Sequence, residues 1–113
     1  MTFEQIGYFL ALAEEKSFVR AARRCGISQP SLTKAIKSLE ATLGAPLFER
    51  GAKGSELTLL GRKIRPLLAR LHADKLRTLD FAHKFDWRSV EHAAGMLFAT
   101  KSVRHDVVKG RRR

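Results

Sequence analysis

A chain of 113 residues, 44% of them hydrophobic, can enclose one small core and little more. Its 22 Lys+Arg against 11 Asp+Glu leave a net charge of +11, which favours nucleic acid or another anionic surface as partner. No apolar run approaches the ~20 residues of a membrane helix, the MTFEQIGYF start does not read as a secretory signal, and one cysteine excludes an internal disulfide, so a reducing cytoplasm is the expected compartment.

Thr2 and Gln5 have the spacing of a capping box, in which each side chain satisfies a free N–H at a helix start. Phe3, Ile6, Leu10 and Ala13 recur at helical spacing behind it, with Phe9 and Leu12 widening the stripe, and predict a first helix over residues 3–15. Ser17 is the next N-cap candidate, opening a short helix whose buried side is Phe18, Ala21, Ala22 and Cys25. The two alanines let another helix cross at close range. Gly26 suits the left-handed position that ends a helix, and Ile27 is the apolar residue expected inside the turn.

Ser28 opens a third, longer helix. Pro30 lies at its second position, where a missing N–H is harmless, so the Ser28 hydroxyl is expected to reach the amide of Ser31. Leu32, Ile36, Leu39 and Leu43 fall within roughly 60° of one another at about 100° per residue. Pro30, Thr33, Lys34, Lys37 and Ser38 lie on the other side, with Gln29 at the helix tip and no acid before Glu40. Gly44 closes this helix. A helix, a tight turn and a second helix over Ser17–Leu43 form the helix-turn-helix arrangement used to enter a DNA major groove.

Residues 47–58 change character. Leu47–Arg50 and Glu56–Thr58 flank a loop containing Gly51, Lys53, Gly54 and Ser55, which reads as a hairpin "wing" with a basic tip or, the strands being so short, as a plain loop. Thr58 then caps a fourth helix running from about Leu59 into the 80s. Its apolar positions Leu60, Ile64, Leu67, Leu68, Leu71, Leu76 and Leu79 exceed what so small a domain can cover, which calls for a helix–helix partner and hence a homodimer. Pro66 should remove one intrahelical hydrogen bond and bend this helix. Past Phe85 the pattern dissolves. A short helix around Ser89–Ala99 is conceivable, and the last ten residues are expected to be disordered.

Charge is unevenly distributed. Residues 1–50 hold 7 basic and 5 acidic residues, whereas 51–113 hold 15 and 6; yet the six basic residues from Lys16 to Lys37 have no acid among them. Such a run is either a solvated face or a phosphate-binding one.

Other chemistry finds little support. His72 and His83 are three helical turns apart, too far to share a metal ion, and no metal or cofactor is expected. Cys25 lacks a C-x-x-C partner and reads as an inert, buried thiol, although Arg23 and Arg24 could lower its pKa. Gly51 and Gly54 do not lead into the Gly-Lys-Ser/Thr of a phosphate loop, and no nucleophile–base pair stands out, so no enzyme activity and no small-molecule pocket are expected.

The sequence resembles the N-terminal DNA-binding domain of LysR-type transcriptional regulators. The matching segments are F-x-x-x-A-E-E-x-S-F at Phe9–Phe18, A-A-R-R at Ala21–Arg24, S-Q-P-S-L-T-K-A-I-K-x-L-E at Ser28–Glu40, L-G-x-P-L-F-E-R at Leu43–Arg50 and L-T-x-x-G at Leu57–Gly61. The resemblance implies a mainly α winged helix-turn-helix, a three-helix core plus a short β-hairpin wing, over residues 1–58. A long linker and dimerisation helix over 59–85 pairs antiparallel with its partner, and a basic tail fills 86–113. The family continues into a two-lobed α/β effector domain that senses a small molecule, whose start the tail does not resemble.

The expected function is thus a transcriptional regulator that binds double-stranded DNA as a dimer. Gln29 can pair with adenine, Pro30 and the Thr33 methyl can meet a thymine methyl, and Lys34 and Lys37 can donate to guanine or phosphate. Ser17, Ser28 and Ser31, besides capping, can hold phosphate together with Arg20, and Arg50 and Lys53 of the wing can reach flanking phosphates or the minor groove. Two rivals are an interaction fragment that heterodimerises with a full-length regulator, and an RNA-binding protein. The latter lacks exposed aromatic pairs for stacking.

Overall fold

A computed structural model describes residues 1–89, and the rest of the expected tail helix and the final ten residues lie outside them. Three helices come first: α1 (Phe3–Glu15), α2 (Phe18–Cys25) and α3 (Gln29–Leu43). A two-stranded antiparallel hairpin, β1 (Phe48–Gly51) and β2 (Gly54–Leu57), precedes the long α4 (Leu59–Lys84).

Each boundary has a local cause. The Thr2 hydroxyl accepts from the Gln5 amide while the Gln5 side chain accepts from the Thr2 amide, both at 3.1 Å, completing the capping box. Ser17 and Ser28 cap α2 and α3 through the amides three residues on, each at 3.2 Å. Because Pro30 has no N–H to offer, Ser31 supplies the one that Ser28 accepts. Gly26 and Gly44 end α2 and α3 in the left-handed region; α1 ends there too, but on Lys16.

The core forms where the inner stripes of these helices meet. Ile6, Phe9, Leu12, Ala21, Ala22, Leu32, Ile36, Leu39, Leu47 and Leu68 are buried together. Phe9 extends the core to the wing, its ring centroid 5.4 Å from that of Phe48. Phe3, expected on the inner stripe, is instead exposed, with the Lys75 ammonium 5.3 Å above its ring. It lies one turn before Ile6, where the core has already ended.

The hairpin replaces the plain-loop alternative, and its strands lie closer to the tip than expected. Phe48 pairs with Leu57, Glu49 with Glu56, Arg50 with Ser55 and Gly51 with Gly54. The tip is docked: the Ser55 amide donates to the Lys16 carbonyl at 3.0 Å, and a Cβ on Gly54 would overlap that oxygen.

Thr58 starts α4 as expected, its hydroxyl accepting from the Gly61 amide at 3.1 Å and donating to the Pro46 carbonyl at 2.8 Å. α4 runs on through Pro66. Its inner face corrects part of the expected dimer stripe: Leu68 is only 2% exposed, and Leu60 and Ile64 pack against the same core. A core this small is not expected to cover the whole stripe, and it takes up only this side of the helix's first three turns. Burying one leucine contributes about 1.5–3 kcal/mol, so the first half of α4 is firmly held, and the compact unit runs from Met1 to Thr78. Leu67, Leu71, Leu76 and Leu79 stay exposed.

The unit from Leu79 onward is described only as far as Ser89. Phe85 packs between Phe81 and Trp87, with centroids 5.7 and 6.0 Å away. Asp86 caps a new helical turn starting at Trp87, earlier than the Ser89 start expected. Its carboxylate accepts from the Ser89 hydroxyl at 2.7 Å and from the Arg88 amide at 3.1 Å, and these bonds, the Ser89 ones foremost, lower its pKa.

Gly61 is where α4 crosses closest to the wing, since a Cβ there would overlap the Leu47 carbonyl oxygen and lie 2.9 Å from Leu57 Cδ2. In an exposed helix, alanine is more stable than glycine by about 1 kcal/mol. Here the sign should reverse: Gly61→Ala is expected to cost about 1–3 kcal/mol of stability, as overpacking does, measured by urea unfolding.

Candidate nucleic-acid interface

α3 is divided lengthwise. Leu32, Ile36 and Leu39 are fully buried, whereas Gln29, Pro30, Ser31, Lys34 and Lys37 are exposed and Thr33 half-buried. The exposed side can reach outward because the buried side is locked. At its start, the Ser28 hydroxyl donates to that of Ser31 at 2.8 Å, so both serines serve the cap while remaining exposed.

An open groove of about 530 Å³ runs between this face, the start of α2 and the wing. Ser17, Thr33, Lys37 and Arg50, all expected from sequence to meet DNA, line it together. Gln29, Pro30, Ser28, Ser31 and Lys34 lie beyond it along α3. Lys53 occupies the exposed turn of the hairpin, away from the groove lining.

Arg20 departs from the expected set in orientation. Its Nη2 donates to the Glu15 carbonyl at 2.6 Å and its Nε lies 3.6 Å from the Glu15 carboxylate. α1 has no basic residue in its last turn, and Arg20 supplies the missing positive charge from the next helix. Arg24 lies 3.4 Å from Glu14 and 3.3 Å from Glu15, and the hydrogen bond and charge of Glu14, followed by those of Glu15, raise its pKa. The uninterrupted basic run is therefore partly neutralised in space by two acids just ahead of it in sequence. These exposed pairs contribute about 0–1 kcal/mol each, so they direct the arginines more than they stabilise the fold. Burial, opposed by Arg24, raises the pKa of the half-buried Cys25 thiol, which makes it less reactive.

Two groove residues escaped the sequence reading. The sequence distinguishes Lys16 only as the first of the basic run, and Glu40 only as the first acid on the α3 face. The Glu40 carboxylate, nearly buried, accepts from the Leu47 amide at 2.6 Å and lies 4.0 Å from the Lys37 ammonium. A single carboxylate seven residues ahead of a buried leucine has no local motif to reveal it.

Comparison with known proteins places these features in a family. Residues 3–62 match the description "Bacterial regulatory helix-turn-helix protein, lysR family". The transcriptional regulator TfdT of Cupriavidus pinatubonensis is 52% identical over 62 residues, which cover 55% of this chain and 27% of TfdT. IlvR of Caulobacter vibrioides is 50% identical over 66 residues, 58% of this chain and 22% of IlvR. The chain thus matches about a quarter of the length of these relatives. Among solved structures, a CbnR DBD–DNA complex matches with a TM-score of 0.68 at 37% identity, covering 74% of this chain and 95% of that one. A BenM DBD/benA site 1 DNA complex matches with a TM-score of 0.69 at 31% identity, covering 74% and 98%.

Glu40 gives this site its sharpest stability test. Glu40→Ala leaves the Leu47 amide without its acceptor and is expected to cost about 1–3 kcal/mol. Glu40→Gln keeps an acceptor oxygen and should cost less, the two being compared by urea unfolding.

Proposed function

Because the chain belongs to the lysR family of bacterial regulatory helix-turn-helix proteins, we propose that it binds DNA for a sequence-specific transcriptional regulator, reading a major groove with α3 as a dimer. The observation that carries this reading is the division of α3, whose apolar side is fully buried while Gln29, Pro30, Lys34 and Lys37 face outward. Base edges in the major groove present a distinct pattern for each base pair, and these side chains are chemically suited to it. Gln29 pairs with adenine, Pro30 and Thr33 meet a thymine methyl, and Lys34 and Lys37 donate to guanine or phosphate. The capping serines Ser17, Ser28 and Ser31 turn helix starts toward phosphate, and Arg50 and Lys53 carry the contact to the wing side. Arg20 joins them only by leaving Glu15, a loose tether on the exposed surface. As a regulator of bacterial type it acts in the cytoplasm.

Sequencing the duplexes that the chain selects from a random pool tests this directly. In the selected site, Gln29→Ala should cost about 1–3 kcal/mol, confined to one base-pair position. A loss spread evenly over all sequences would contradict base reading.

The exposed leucines of α4 support the dimer. With Leu60, Ile64 and Leu68 committed to the core, Leu67, Leu71, Leu76 and Leu79 remain as exposed apolar surface along α4 for a second helix to cover. The same exposed leucines suit α4 of a longer family member, which keeps heterodimerisation as the second reading. Sedimentation at micromolar concentration should give a dimer, and Leu71→Glu with Leu76→Glu should reduce it to monomer without lowering the helical content. A wild-type monomer would sink the homodimer.

A further inference from the structure

Lys16 stands where α1 ends, α2 begins and the wing tip docks. It is the one residue other than glycine with a positive φ among the described residues, at φ 58 and ψ 20. Glycine fills the equivalent position after α2 and α3, and it would avoid the steric cost that a lysine bears in this conformation. The backbone of Lys16 is pinned on both sides: its amide donates to the Leu12 carbonyl at 2.8 Å, and its carbonyl accepts from Ser55 at 3.0 Å. The side chain therefore projects from a fixed root on the groove lining, together with those of Lys37 and Arg50.

Its charge is also uncommitted. Glu14 and Glu15, the acids nearest to it in sequence, are turned to Arg20 and Arg24, and among the described residues no carboxylate lies within ion-pair distance of the Lys16 ammonium. Of the two acids on the groove lining, Glu40 is engaged by the Leu47 amide and Lys37, and Glu49 stands opposite Glu56 on the hairpin.

We propose that Lys16 is a phosphate-contacting residue for a DNA backbone lying in this groove, fixing the duplex at once against the start of α2 and the tip of the wing. The inference rests on the chain binding duplex DNA. A lysine supplies a compact charge on a flexible stem, so it holds phosphate without reading sequence.

The test uses the 113-residue chain and a duplex that the wild type selects from a random pool. Lys16→Gln keeps the strained backbone and removes the charge. It should weaken binding about three- to tenfold and make the dependence of log K on log salt shallower by about one, equally for selected and base-substituted duplexes. Lys16→Gly should weaken binding as much while raising the melting temperature, and these opposite signs separate a lost contact from a damaged fold. Lys16→Arg should retain binding. Wild-type affinity and salt dependence in Lys16→Gln would overturn the proposal, as would binding by Lys16→Gly as strong as wild type. A wild type that selects no duplex at all would overturn the DNA-binding reading itself, and the role of Lys16 with it.

Discussion

Leu47 is the residue on which the other parts converge. Its side chain is wholly buried in the core, its amide donates to the Glu40 carboxylate, and its carbonyl accepts from Thr58 at 2.9 Å. The same carbonyl lies against Gly61, so α4 can approach only because that position carries no side chain. One residue thus ties α3, the wing and α4 together through its side chain and both of its backbone polar groups. An unpaired buried backbone group costs about as much as a lost hydrogen bond, which makes each of these ties a constraint on the others. The angle between α3 and the wing, and with it the width of the groove, depends on this corner.

The charge pattern has a related logic. In sequence, Lys16 to Lys37 is a run of six bases without an acid. In space, Glu14 and Glu15 occupy Arg20 and Arg24, while Lys34, Arg23 and Lys16 have no ion-pair partner among the described residues. Positive charge is thereby reduced where Arg20 and Arg24 meet the end of α1 and kept at Lys16 on the groove lining and at Lys34 beyond it along α3. A net charge favours an anionic partner in general; the local pairing decides which side of the domain meets it.

Helix starts and ends were the most legible part of the sequence, because they depend on neighbours three or four residues apart. Thr2 with Gln5, Ser17, Ser28 with Pro30, and Thr58 all cap as their spacing implied. The inner face of α3 was legible for the same reason. Interactions that close across many residues were not. The Lys16 carbonyl meets the Ser55 amide, and Glu40 meets Leu47, only because the tertiary fold brings them together. The apolar positions of α4, whose phase shifts around Asp74-Lys75, all point to a helix–helix partner, whereas Leu60, Ile64 and Leu68 serve the core and Leu67, Leu71, Leu76 and Leu79 do not. Periodicity locates a stripe, but it cannot say how many partners share it.

The pinned corner also determines where this domain can vary in length. Loops are ordinarily where insertions and deletions accumulate, yet the connection from Gly44 to Pro46 is held at both ends, by the Gly44 amide on the Glu40 carbonyl and by the Leu47 amide on the Glu40 carboxylate. One residue added there would carry the Leu47 amide away from its acceptor and turn its side chain out of the core. The hairpin turn is different: Ala52 and Lys53 are exposed, and the docking to α1 begins only at Gly54 and Ser55. Extra residues would be absorbed at that tip, so the length of the wing is free to change while α3 stays where it is.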